Sequence, residues 1–371
     1  MIDRSFIKII SLAVVVAMAI SAAPLFVSDG SDAEMTVKDG YGNEFTFSDE
    51  PSHIITIGSG ITATCIQLGA IDKILVADSY SKGNTNQVFD VLREYVNAGK
   101  IAANGNIYSS GKAALKTDIV DAADTEHGGK FDKETDPVFI TGGNSYINPI
   151  IEDLKALGFQ KVMAWNDITE YNEIADFVST VSKIIDGTES DKVAQMKHVS
   201  EVISDGVKDK TKREAFYVTY SGSVFKVGNT KSLANSMIYA AGGESITTNP
   251  DISTSTYEAN VTTLVEQHPD AVIFLDSSIH ANAANKEAFL NAIGGGSGKT
   301  IVEMNSLWNN YSIDSMNGVW TMACAMYPDT FEGDVPTVDD DSKDNTVLYI
   351  GIGAAAAAVI LVAGVLFLRK H

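Results

Sequence analysis

Apolar and polar positions alternate briefly over 35–47, broken at Asp39-Gly40 and Gly42-Asn43, and this pattern predicts a short β-hairpin. After Pro51 the period changes. Compact apolar runs at 53–57, 73–77, 137–141 and 161–165 predict strands, and stretches with helical spacing at 61–68, 113–123 and 149–157 predict helices. Glycines punctuate the run: Gly58 and Gly60 after the first strand, Gly69 after the first helix, Gly142-Gly143 after the third strand, Gly158 after its helix. Strand and helix in alternation predict a parallel sheet of βα units. The charged stretch 124–135 has no period and reads as a surface loop.

Two consecutive helices are expected next, at 170–185 and 190–207, the second with Val193, Met196, Val199 and Val202 at helical spacing. A second α/β run follows, with strands at 215–220, 271–275 and 300–304 and helices at 233–241, 261–267, 286–293 and 316–326. No short repeat relates the two runs. The pattern predicts two Rossmann-like α/β lobes, 34–187 and 211–331, joined by a long backbone helix within 188–210.

The ends of the chain are of another kind. Arg4 and Lys8 precede an apolar stretch and the small residues 21–23, the build of a secretory signal over 1–33, with cleavage near Ser21 or after Ser31-Asp32-Ala33, or an uncleaved anchor. An uncharged apolar run at 347–368 matches the roughly 30 Å thickness of a bilayer core and predicts a transmembrane helix. Arg369, Lys370 and His371 follow it and an acidic stalk, 332–346, precedes it, so the tail (369–371) is expected inside the cell and the body outside.

Charge and composition exclude other classes. With 48 acidic and 27 basic residues among 371, the net charge is −21, which repels nucleic-acid backbones. Two cysteines, Cys65 and Cys324, form no disulfide framework; each lies on an expected helix and reads as a buried thiol, with a single bridge left open. The GGGSGKT run at 294–300 is a turn rather than a phosphate loop, because a helix precedes it and a strand follows. Nucleophile elbows, HExxH and paired-cysteine motifs are absent, so no enzyme is expected.

Ligands of such sheets sit beyond the carboxyl ends of the strands. The candidates there are Ser59, Tyr80, Tyr108, Asn144, Tyr146 and Trp165 on the first lobe and Tyr220, Phe225, His280, Trp308 and Tyr311 on the second, facing a cleft. His53, His127, His198 and His268 show no metal-ligand spacing, and only His280 with Asp276 stands as a pair near a strand end. Arg93 and Arg213 are the only arginines of the body, which disfavours a strongly anionic ligand, although Lys82, Lys112 or Lys226 supply point charges. Asn260 and Asn310 stand in glycosylation sequons, and modification at Asn310 would displace that edge of the cleft.

Several passages resemble one family. Thr36-Val37-Lys38-Asp39 with Gly42-Asn43 and Phe45 resembles the opening hairpin of the extracytoplasmic substrate-binding proteins of ABC importers for iron chelates, haem and cobalamin. Pro51 with His53-Ile54-Ile55 is similar to their first strand, where an Arg often replaces this His. Leu68-Gly69-Ala70 with Asp72-Lys73-Ile74 resembles their first helix stop, and Ala241-Gly242-Gly243-Glu244 and His268-Pro269-Asp270 before Ala271-Val272-Ile273-Phe274 resemble features of the second lobe. The resemblance covers about 36–331. It implies a receptor without a resident cofactor that takes a ferric chelate (siderophore), haem or a corrinoid between lobes that only rock, and delivers it to an ABC permease and its ATPase. Where the family carries acidic docking residues this chain has Ala63 and Thr262, leaving Glu152, Glu258 and Glu266 as substitutes. A surface adhesion protein, or an extracellular enzyme on a nitrogenase-like bilobal scaffold, remains as an alternative.

Overall fold

A computed structural model describes residues 34–338 apart from 109 and 167. The leader 1–33, stalk residues 339–346, the run 347–368 and the tail 369–371 lie outside the described residues. Among the described residues no helix is long and apolar enough to cross a membrane.

The chain opens with the expected hairpin, β1 (Met35–Lys38) and β2 (Glu44–Phe47). The buried Asp39 carboxylate fixes its turn, accepting from the N–H groups of Tyr41 (3.0 Å) and Asn43 (2.9 Å) and from Ala164 N in the first sheet (3.3 Å). The first lobe then follows as β3 (Ile54–Ile57), α1 (Ser59–Gln67), β4 (Ile74–Ala77), α2 (Ser79–Gly83), α3 (Asp90–Asn97), α4 (Lys112–Ala122), β5 (Val138–Thr141), α5 (Asn144–Ala156) and β6 (Val162–Trp165). Its sheet has the order β4-β3-β5-β6, all parallel. The strands are buried on both faces, and alternate residues enter different cores. Ile55, Ile57, Val138, Ile140, Val162 and Ala164 pack under α4 and α5, whereas Ile54, Phe139, Met163 and Trp165 face the interior of the molecule.

Two helices join the lobes, α6 (Tyr171–Asp186) and α7 (Asp191–Val207). Glu170 and Glu173 form a capping box at the start of α6, and Gly187 ends it in the left-handed conformation at φ 68°. The N-terminal Tyr171 N–H of α6 donates to Ser236 Oγ of the second lobe (2.9 Å), and near its C-terminus Ile185 O accepts from Lys73 Nζ of the first lobe (2.6 Å). Helix α6 is therefore fastened to a different lobe at each end. Helix α7, in the span expected for the connector, packs on α6.

The second lobe runs β7 (Glu214–Ser221), β8 (Val224–Gly228), α8 (Leu233–Ala240), β9 (Glu244–Ser245), β10 (Thr256–Glu258), α9 (Val261–Gln267), β11 (Val272–Leu275), α10 (Ser277–His280), α11 (Ala283–Ala292), β12 (Ile301–Glu303) and α12 (Ser315–Met326). Strands β7, β11 and β12 are parallel, but β8 pairs antiparallel with both β7 and β10, so the sheet β10-β8-β7-β11-β12 is mixed, with β9 beside the start of β7. One apolar core is continuous from the inner face of the first sheet through α6 and α7 to α8, α12 and the inner face of the second. Burial of that surface in a single cluster makes the two lobes one body.

Candidate functional site

A cleft of about 360 Å³ opens where the C-terminal edges of β3, β4 and β5 meet the segment between β12 and α12. Its floor is backbone. Gly58, at φ +117°, lies so close to β5 that a Cβ would come 2.8 Å from Thr141 O, and this close approach requires glycine. The Gly58 N–H donates to Asp78, whose carboxylate also caps α2 through Ser81 N (2.9 Å) and lies 3.0 Å from Ser81 Oγ. Ser81 Oγ is 3.1 Å from Thr62 Oγ1, which donates to Gly58 O (2.9 Å), so the loops after β3 and β4 are locked to one another. Asp78 is 3% exposed; burial pushes its pKa up, against the pull of the Ser81 and Gly58 N–H groups.

One wall is aromatic. Tyr80 and Tyr108 meet edge to face at 5.3 Å between centroids and 85°, and Tyr108 meets Tyr146 at 4.7 Å and 65°. The Tyr108 N–H donates to Asn106 Oδ1 (3.0 Å), and Asn106 Nδ2 to Ser79 Oγ (3.1 Å), which ties this wall to α2. Burial, then the phenols of Tyr80 and Tyr146 and the Asp78 carboxylate, push the Tyr108 pKa up, so its hydroxyl keeps its proton at neutral pH.

The opposite wall is Asn310 and Tyr311 of the second lobe. They sit directly on α1: a Cβ on Gly60 would lie 2.6 Å from Asn310 Oδ1 and 2.7 Å from Tyr311 O, and Thr64 Oγ1, one turn on, donates to Tyr311 O (3.4 Å). Asn86 Nδ2 donates to Asn305 Oδ1 (2.7 Å), a second polar link across the lobes.

No family model and no curated protein matches the chain. Solved structures do. A TroA-like periplasmic binding protein, FepB from Veillonella parvula, aligns over 80% of this chain and 91% of its own at 13% identity, TM-score 0.59. CeuE of Helicobacter pylori, in a complex with nickel and histidine, aligns over 84% and 92% at 17% identity, TM-score 0.58. The ABC-type Fe3+-hydroxamate transport protein of Saccharomonospora viridis aligns over 78% and 98% at 16% identity, TM-score 0.53. The chain has the periplasmic-binding-protein fold.

The cleft between the lobes collects Ser59, Tyr80, Tyr108 and Tyr311 from among the residues expected there, with Tyr146 packed against Tyr108 beside it. Asn144 opens α5, and its side chain lies outside the described residues. The other candidates lie elsewhere. Trp165, 4% exposed, packs on Phe139 (6.0 Å) and Phe177 (5.0 Å) beneath α6, because the last residue of β6 turns to the inner core rather than the cleft. Trp308 is half-buried against Gly318 of α12. Tyr220 and Phe225 are a cross-strand pair on β7 and β8 (5.2 Å), with Phe225 on Phe289 (5.5 Å), on the far face of the second sheet.

His280 does not pair with the Asp276 carboxylate. Its Nε2 lies 2.8 Å from Met304 O and its Nδ1 3.6 Å from Glu303, while Asp276 accepts from Tyr217 Oη (2.9 Å) and Ser278 N (2.8 Å). His53, His127 and His268 each lie beside one carboxylate, Asp136, Asp124 and Glu214, and among the described residues no three His, Cys, Asp or Glu side chains converge to hold a metal. Both cysteines are free thiols; burial pushes Cys65 up and Cys324 to about 12. Glu152, Glu258 and Glu266 are all exposed.

Asp78 and Asn106 escaped the sequence reading, which took the glycines of the floor only as strand ends. The Ala77-Asp78-Ser79 step, a buried strand meeting a capping residue, is the signal that marks Asp78. Asn310 stood out only as a sequon, and its side chain is engaged with the Tyr311 N–H (2.8 Å).

Proposed function

We propose that the body is the cargo-binding component of an ABC-type importer, a binding protein rather than an enzyme. It takes up a metal chelate, with haem or a corrinoid as the other cargo classes, in the cleft between Tyr80, Tyr108 and Tyr311, and passes it to a permease driven by its ATPase. The observation that carries this reading is the cleft itself: two α/β lobes, joined by a doubly fastened helix, meet at loops that present exposed aromatic rings over a glycine floor. The Fe3+-hydroxamate transport protein of similar fold supports a chelate as cargo. Glu152 on the first lobe and Glu258 and Glu266 on the second are the docking candidates we retain. The run 347–368 would hold the body at the outer face of the membrane.

Isothermal titration of the exported body with ferric trihydroxamates, haemin and cobalamin tests the first half. Saturable one-to-one binding of at least one is expected, and no binding of any overturns the reading. Fractionation tests the anchor: the full chain should pellet with membranes and a chain ending at Thr346 should not. Release of both chains would remove the anchor.

A further inference from the structure

We propose that the cleft prefers chelates that carry a positive charge, holding a cationic group of the cargo against the faces of Tyr80, Tyr108 and Tyr146. This deepens the chelate reading and rests on it. The three rings are 55%, 39% and 47% exposed, and Tyr80 is the most exposed large apolar side chain among the described residues. Three adjacent aromatics left open to water in a concave site mark a surface that a ligand covers. Their edge-to-face contacts turn the ring planes steeply to one another, so the rings present faces in different directions rather than a flat stack. Electron-rich ring faces of this kind attract organic cations.

The charges around the rings agree. Among the described residues no Lys, Arg or His lines the cleft. Lys82 lines a separate groove with Arg93, and Lys112 is paired with Asp153 at 3.5 Å. At the floor, Asp78 accepts from the Gly58 and Ser81 N–H groups and the Ser81 hydroxyl, and no Lys, Arg or His pairs with it among the described residues, so nothing basic there repels a cation. The chain already uses lysine over aromatic faces at Tyr95, Phe159 and Phe47, so cations and rings meet favourably in this protein. A neutral apolar ligand would also cover the rings, and this is the alternative the experiment separates.

The test compares ferrioxamine B, a monocationic trihydroxamate, with its N-acetylated form, which has the same iron core and no ammonium, alongside a trianionic ferric tricatecholate, haemin and cobalamin. The cationic chelate is expected to bind about tenfold more tightly than the acetylated one. That preference should vanish in Tyr80→Leu and Tyr108→Leu and survive in Tyr80→Phe and Tyr108→Phe, which keep the ring faces. Circular dichroism and urea midpoints establish that each variant is folded. Equal affinity for the two trihydroxamates, a preference untouched by the leucine variants, or binding confined to neutral or anionic probes overturns the charge preference while leaving a chelate receptor. Binding of none of the five overturns the chelate reading itself.

Discussion

Gly60 packs directly against the second lobe on the cleft side, and adding one methyl there measures how tightly the lobes are held. In Gly60→Ala the new Cβ would lie 2.6 Å from Asn310 Oδ1 and 2.7 Å from Tyr311 O, where ordinary contact begins at 3.4 Å. The Asn310 amide can swing aside, but the Tyr311 carbonyl is backbone, so the segment before α12 must retreat by about 0.7 Å or α1 must tilt. Overpacking of this kind costs about 1–3 kcal/mol, against a helix-propensity gain of about 1 kcal/mol for alanine over glycine. The expected net loss is up to about 2 kcal/mol, read as a lower urea midpoint. Because the same shift carries Tyr311 away from the tyrosine wall, chelate affinity should fall by about tenfold. Gly83→Ala is the control: nothing lies within 4 Å of its Cβ position, so it should be neutral or slightly stabilising and bind as the parent does. If Gly60→Ala matches Gly83→Ala in both midpoint and affinity, the lobes are not in tight contact at α1 and the account of the cleft's far wall is wrong.

Trp165→Ala should cost about 3–5 kcal/mol by emptying the space beside Phe139 and Phe177; a variant of parental stability that binds chelate weakly would return the ring to the cleft. Gly222 and Ser223 both have positive φ, 64° and 67°, in the β7–β8 turn, which fits a type I′ hairpin. Ser223→Gly should therefore raise stability by about 0.5–1 kcal/mol in urea unfolding, and a loss instead would show that Ser223 is not strained. Burial, opposed by hydrogen bonds from Gln67 and Asn317, holds the Asp314 carboxyl above its ordinary range. Between an ordinary pKa of about 3.9 and that raised value the folded chain keeps a proton the unfolded chain has released. Stability from this group is thus full below the window and lost as pH rises through it. Urea midpoints against pH should show a shallower fall in Asp314→Asn than in the parent, and identical profiles would contradict the assignment.

The βα order of the first lobe, the two joining helices and most of the second lobe were legible because their helices have clear periods and their ends carry glycines. Strands β8 and β10 were not: they are short, and the Gly222-Ser223 turn that pairs β7 with β8 was passed over although Gly-Ser is a hairpin signal. Helix α5 begins at Asn144, five residues before the expected Pro149, because its first turn is held by Tyr146 N and Ile147 N on Gly143 O, which no proline marks. Placing Trp165 in the cleft failed for a deeper reason. All four residues of β6 are buried, so the strand shows no alternation from which a face could be read. Tyr80 was named because it follows the end of β4 by three residues, whereas Asp78, which organises the floor beneath it, carries the same signal two residues earlier.

Helix α6, roughly 24 Å of rod at 1.5 Å per residue, is pinned to Ser236 at one end and to Lys73 near the other. A brace fastened at both ends resists separation of the two lobes. Prising the halves apart means bending the brace or snapping a pin, and that effort must be supplied from outside the molecule. If the cleft carries cargo as proposed, capture can be spontaneous while discharge waits for a partner that pulls, and the brace, more than the pocket, would be what retains the load.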